Sequence, residues 1–194
     1  MSDVTLVNAR LIDPEAGTER LGGLRISGGL IAEILSENAN GKGVVIDCGG
    51  KYLAPGIIDV GVKIGEPGER HKESFRTAGR AAAAGGVTTM VTRPDTSPAI
   101  DTPETLEFAA NRAAQAMGVR IRPMAALTKG RMGREMTEIG FLLDAGAVAF
   151  TDGDAVTTNP RVFARCLTYA KSLNALVIAH CQDPGLSDGA AVTS

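Results

Sequence analysis

From Pro55 onward the chain repeats one rhythm: a short apolar run, a glycine-bearing or polar connection, then a stretch with apolar residues at helical spacing. Parallel strands need a crossover long enough to hold a helix, so this rhythm points to parallel β/α architecture. The apolar runs are Gly56 to Val60, Val87 to Thr92, Val119 to Ala126, Ala147 to Thr151 and Ala175 to Cys181. They lack the alternation of a half-solvated strand, as strands covered on both faces do. Thr102-Pro103 and Asn159-Pro160 each read as a helix cap followed by proline in the first helical position. Leu106, Ala109, Ala110, Ala113 and Met117 then form one apolar stripe, and Val162, Phe163, Cys166, Leu167, Ala170 and Leu173 form another.

The first fifty residues follow a different rule. Val4 to Asp13, Leu24 to Ser27, Leu30 to Ile34 and Val44 to Asp47 alternate with period two, and Gly22-Gly23, Gly28-Gly29 and Asn40-Gly41 read as the turns between them. A small β layer over 1–54 is expected, followed by a β/α portion over 55–194. A closed β/α barrel takes eight units and about 250 residues. Five candidate strands are present here, so the barrel is expected to be incomplete and the chain a fragment or one piece of a cleaved protein. Asp188 to Ser194 reads as an exposed, cleavable loop. Alone, such a half barrel would leave sheet edges and apolar surface open.

Composition narrows the function classes. Of 194 residues, 44% are hydrophobic and 22% charged, which is ordinary for a globular protein with a packed core. A formal net charge of -2, no Trp and only 2 Tyr argue against a nucleic-acid partner, which would call for basic excess and stacking platforms. No basic segment followed by an apolar run opens the chain, and no run of about 18 apolar residues occurs, so neither a leader nor a membrane span is expected and the cytoplasm is the default. Cys48, Cys166 and Cys181 are odd in number and widely spaced, and are read as reduced thiols.

In β/α architecture, chemistry gathers at the carboxyl ends of strands. Ala54-Pro55-Gly56-Ile57-Ile58-Asp59-Val60-Gly61-Val62-Lys63-Ile64-Gly65-Glu66-Pro67-Gly68 lies at the first such end. The stretch from Gly85 to Pro98 lies at the second, and Ala147 to Asp152 and Ala179 to Asp183 follow in order. These stretches resemble the dihydroorotase family of cyclic amidohydrolases, whose first strand ends Pro-Gly-x-x-Asp-x-His-x-His and continues Arg-Glu-Pro-Gly. Its second unit carries Gly-Gly-x-Thr-Thr and then Met-Pro-Asn-Thr-x-Pro. The resemblance covers nearly the whole chain. It implies an amidohydrolase-type (β/α)8 TIM barrel with a small N-terminal β-sandwich domain, zinc as cofactor, and hydrolysis and closure of the dihydroorotate ring in pyrimidine biosynthesis.

The departures from that pattern are informative. The family's two zinc-binding histidines correspond to Gly61 and Lys63, and neither glycine nor an ammonium offers a lone pair to zinc. Counted back from His180, the bridging aspartate falls on Gly153, with Asp154 displaced by one place. The carboxylate-gripping arginine corresponds to Gly65, and the neighbouring asparagine to Asp95, which is expected to repel an anionic substrate. No other device for making hydroxide near neutral pH is visible.

His180, Asp154 and Asp152 remain as candidate metal ligands, with His180 also readable as a polar residue lining an empty cleft. Adjacent on a strand, His180 and Cys181 are expected to point to opposite faces. Lys63 is expected to fill the metal's place and pair with Asp59, Asp152 or Asp154. His71, within Arg70-His71-Lys72, reads as solvated surface, and Gly85-Gly86 as a helix end and turn.

The leading expectation is a non-catalytic dihydroorotase-like protein without cofactor. The resemblance implies aspartate transcarbamoylase as its assembly partner, or self-association, in a homo- or hetero-oligomer. The alternatives are a cyclic amidohydrolase with an atypical zinc site built from His180, Asp152 or Asp154 and residues beyond Ser194, and a sensor that still binds a ring compound.

Overall fold

The computed structural model describes residues 3–116 and 118–187. The chain divides into two compact units, Met1–Gly56 and Ile57–Ser194.

The first unit is a single five-stranded sheet of β1 (Val4–Asp13), β2 (Thr18–Ser27), β3 (Leu30–Leu35), β4 (Val44–Asp47) and β5 (Tyr52–Leu53). Its order is β3-β2-β1-β4, with β5 also on β1; β1 runs antiparallel to β2 and parallel to β4 and β5. Gly28 and Gly29, at φ of 59° and 81°, make the β2–β3 turn as the sequence suggested. Gly22 and Gly23 do not form a turn. They lie inside β2, where a Cβ would sit 2.3 Å from the carbonyl oxygens of Leu35 and Leu6 respectively, so glycine serves close backbone approach instead. Near Asn40-Gly41 the positive φ belongs to Gly43, at 71°.

The second unit opens with a parallel sheet of order β6-β7-β8, formed by β6 (Ile57–Val62), β7 (Val87–Thr92) and β8 (Arg120–Pro123). Helix α1 (Phe75–Ala84) connects β6 to β7, and α2 (Pro103–Ala113) connects β7 to β8. The runs at 147–151 and 175–181 are shorter in pairing than their apolar character suggested. They join as isolated parallel bridges, Ala125 with Phe150 and Phe150 with Val177. A 3-10 turn at Lys129–Arg131 and helices α3 (Ile139–Asp144), α4 (Pro160–Ser172) and the short α5 (Pro184–Ser187) follow.

Local chemistry sets the helix starts. Thr102 caps α2 and Asn159 caps α4, each followed by proline, as expected. Helix α1 starts at Ser74, whose hydroxyl accepts from the Thr77 amide while Thr77 Oγ1 accepts from the Ser74 amide. Gly85 ends that helix and Gly86, at φ 80°, turns the chain into β7. Met117, the last residue of the expected α2 stripe, and Asp188 to Ser194 lie outside the described residues.

The core of this unit packs Ile64, Phe75, Met90, Leu106, Leu127 and Phe150 between sheet and helices. Ile57, Ile58 and Val60 of β6 remain exposed. Buried Glu66 fixes the loop after β6: its Oε2 accepts from the Phe75 amide at 3.1 Å, and its Oε1 from Arg112 Nε at 2.8 Å. A carboxylate at the first turn of α1 also complements the helix dipole. Among the described residues, no helix is long and apolar enough to cross a membrane.

Candidate functional site

Four successive strand ends of the second unit bring charged residues together. Lys63 follows β6 and Arg93 follows β7; Thr128 to Arg131 lie beyond β8, and Asp152 to Asp154 follow the bridge at Phe150. Lys63 Nζ stands 3.2 Å from Asp95 Oδ2. The expected pairing of Lys63 with Asp59, Asp152 or Asp154 is therefore corrected: the partner comes from the adjacent strand end. Arg93 grips the same carboxylate with both arms, Nε donating to Oδ1 at 3.1 Å and Nη2 to Oδ2.

Asp95 itself is 1% exposed at its side chain. Burial pushes its carboxyl pKa up, but the hydrogen bonds and charges of Arg93 and Lys63 outweigh that and hold it below the ordinary value. Arg93 is pushed up in turn, first by its hydrogen bond to Asp95. Asp95 therefore does not act as a bare negative charge facing an incoming anion. Its charge is spent on two cations that the same strand ends supply.

The pairing continues across the site. Arg93 Nη2 lies 3.8 Å from Asp154 Oδ2, and Arg131 Nη2 donates to Asp154 Oδ1. Arg131 Nε also donates to the Asp152 carbonyl at 2.8 Å. Arg131 holds φ at 60°, a left-handed conformation that costs a non-glycine residue energy and persists where surrounding bonds enforce it. Gly153, at φ 68°, lies between the two guanidinium groups: a Cβ there would be 3.4 Å from Arg131 Nη2 and 3.6 Å from Arg93 Nε.

Asp152 faces inward. Its carboxylate accepts from the Thr128 amide at 2.9 Å, the Thr128 hydroxyl at 2.7 Å and the Thr157 hydroxyl at 3.3 Å. Beside it lies a cavity of about 210 Å³, lined by Leu127, Phe163, Ile178, His180 and Cys181 among others. His180 is exposed and shares a 2.9 Å hydrogen bond with Gln182. His180 and Cys181 both border this cavity, on a segment that joins no ladder, so the strand alternation behind the expected opposite faces does not apply to it.

Two further glycine positions are set by backbone geometry. Gly61 sits in an irregular stretch of β6 at φ 93°, so a histidine there would have to adopt a strained backbone. Gly65 closes a tight turn, and a Cβ on it would meet the Glu69 carbonyl oxygen at 2.5 Å. An arginine in its place would require that loop to move.

These donors do not fit a zinc ion. Lys63 and Gly61 offer no lone pair, Asp95 and Asp154 are held by cations, Asp152 is satisfied by hydroxyl and amide donors, and His180 stands apart with Gln182. Among the described residues, no three His, Cys, Asp or Glu side chains are grouped so that they could hold a metal ion. Arg93 and Arg131 are the members that sequence reasoning missed. The signal for Arg93 lay in its place beside Pro94-Asp95, where the family pattern has methionine; Arg131 carried no sequence signal.

Comparison with known proteins identifies the family. The family described as dihydro-orotase-like matches residues 50–194. The dihydroorotase-like protein of Pseudomonas putida is 38% identical over 187 residues, covering 96% of this chain and 44% of that one. The dihydroorotase of Bacillus licheniformis is 38% identical over 185 residues, covering 95% of this chain and 43% of that one. This chain thus spans less than half the length of these relatives. Among solved structures, the L-hydantoinase (dihydropyrimidinase) of Arthrobacter aurescens superposes with a TM-score of 0.78 at 24% identity, over 94% of this chain and 41% of that one. That likeness speaks for the shared fold. The residues matched and the relatives found make this chain a member of the dihydroorotase-like family.

Proposed function

We propose that this chain is part of a non-catalytic, dihydroorotase-like protein of pyrimidine biosynthesis that serves as a structural partner, with aspartate transcarbamoylase the partner the resemblance implies. The observation that carries the reading is Lys63: where the family pattern has a histidine ligand, an ammonium stands 3.2 Å from Asp95 Oδ2. Hydrolysis of a cyclic amide near neutral pH draws on metal-bound hydroxide, whose formation needs the pKa of water lowered from 15.7 to about 7. Arg93 and Arg131 engage Asp154, one of the candidate ligands, while Lys63 and Arg93 hold Asp95 beside it. On this reading the protein is cytoplasmic, and a closed (β/α)8 barrel beside a small β-sandwich is its full architecture.

The test uses the full-length protein. Dihydroorotate and carbamoyl aspartate are offered with and without added zinc, and the purified protein is mixed with aspartate transcarbamoylase and sized. No turnover together with a co-eluting complex is the expected result. Turnover dependent on zinc would overturn the reading.

A second reading is a cyclic amidohydrolase with an atypical zinc site. It draws support from relatives named dihydroorotase, such as that of Bacillus licheniformis. It requires His180 and Asp152 or Asp154 to be joined by donors beyond Ser194, and stoichiometric zinc bound to the full-length protein is its first requirement.

A further inference from the structure

A metal bridged by ligands from several strands ties those strand ends together as well as activating water. The second unit has the same mechanical problem, since loops from four successive units converge with their charged groups close together. Its side chains form an alternating series. Lys63 Nζ meets Asp95 at 3.2 Å, Asp95 is gripped by Arg93, Arg93 reaches Asp154 at 3.8 Å, and Asp154 accepts from Arg131. Arg131 closes the series on the Asp152 carbonyl at 2.8 Å. Asp152, through Thr128, then fastens the loop beyond β8 to the segment after Phe150.

Three features mark this as one device rather than scattered ion pairs. Each carboxylate in the series has two cationic partners, and Arg93 serves both carboxylates. Every contact joins groups from the carboxyl-terminal side of strands, where the fold places its chemistry. Gly153 supplies the left-handed turn, at φ 68°, that carries the chain past both guanidinium groups.

We propose that the series running from Lys63 through Asp95, Arg93 and Asp154 to Arg131 is a metal-independent clamp that holds four strand ends in register. Protonated side chains supply the positive charge that a divalent ion would otherwise bring. The clamp works against that ion by holding the Asp95 and Asp154 carboxylates and placing like charge around them. It accounts for how this fold persists with the ligand pattern broken, whatever the protein assembles with.

The full-length protein tests this by thermal unfolding of the wild type, Lys63→Met, Arg131→Met and the double variant, each with a strong chelator, with added zinc, and with neither. The wild-type midpoint is expected to stay within about 1 °C in all three conditions, and each single variant to lose about 2–4 °C. Lys63 and Arg131 do not touch, so separate pairs would give additive losses; a clamp gives a double variant that loses clearly less than the sum. Additive losses, or a wild-type midpoint that falls with chelator, would overturn the proposal. Should Arg131→Met fail to fold, Lys63→Met paired with Asp154→Asn reads the same coupling. Catalytic turnover would count against the structural role proposed above, whereas the midpoints alone decide the clamp.

Discussion

The guanidinium of Arg93 holds Asp95, two residues further along, in a two-armed grip whose Nε to Oδ1 distance is 3.1 Å. The carboxylate has no access to water worth the name, while Lys63 is 53% exposed and Arg93 25% exposed. Replacing Asp95 with alanine leaves two cations without their shared partner. Fully buried pairs cost 3–5 kcal/mol when broken in this way. With both partners partly hydrated and Arg93 keeping Asp154, a smaller loss of about 1–2 kcal/mol is expected, read from urea unfolding of Asp95→Ala against the wild type. Arg93→Lys is expected to recover little, because an ammonium cannot reproduce the fork.

Acidity should reveal the same carboxylate. Its folded pKa lies below the ordinary aspartate value, so the folded state binds its proton less readily than the unfolded chain does. The resulting stability is fully present above the unfolded value, near pH 4, and is lost as pH falls through the lower folded value. The stability difference between wild type and Asp95→Asn is therefore expected to stay level from about pH 5 to 8 and to shrink below about pH 4. A difference that shrank on the alkaline side instead would contradict the assignment.

Thr128 is the second anchor to test. Its amide and hydroxyl both donate to the buried Asp152 carboxylate, at 2.9 and 2.7 Å, and its hydroxyl accepts from the Gly133 amide at 2.9 Å. Thr128→Val keeps the shape and removes the hydroxyl, leaving a carboxylate oxygen and an amide short of a partner. A loss of about 1–3 kcal/mol is expected in denaturant unfolding. Thr128→Ser is expected to restore most of it.

What the sequence disclosed, and what it concealed, follows the range of the interactions involved. Thr102-Pro103 and Asn159-Pro160 announced their helices because a cap is settled within four residues. Gly61, Lys63, Gly65 and Gly153 were visible as departures from a motif, which needs only alignment by spacing. The identity of Lys63's partner was not visible, since Asp95 reaches it only through the parallel pairing of β6 with β7. Arg131 was hidden more completely: its role depends on a loop conformation at φ 60° that no local preference for arginine foretells. Gly22-Gly23 misled for a related reason, because glycine marks close backbone approach as readily as a turn, and only the neighbouring strand decides which.

The three thiols differ enough to be told apart by reagent. Cys166 is fully buried in α4, and burial, with a smaller contribution from the Asp152 charge, pushes its pKa up. A thiol that is both inaccessible and reluctant to ionise is a poor nucleophile. With a chromogenic disulfide at pH 8, Cys166 is expected to react only once the protein is unfolded, whereas Cys181, which is exposed, should react in the folded state. Rapid labelling of Cys166 in folded protein, located by peptide mass, would contradict this packing.

Phe150 links its neighbours through single-residue bridges, with its amide donating to the Leu176 carbonyl and its carbonyl accepting from the Ile178 amide, both at 2.9 Å. On its other side, Ala125 donates to Ala149 and Thr151 donates to Ala125, both at 3.0 Å. Val148 also donates to Pro123 and Leu127 to Thr151, both at 3.3 Å, so the side toward Leu176 and Ile178, with its two bonds, is the weaker edge of this segment. In the time domain, amide protons of Ala125, Phe150, Thr151 and Ile178 should exchange with solvent at one common rate, set by a single opening of the segment that carries Asp152 and Asp154.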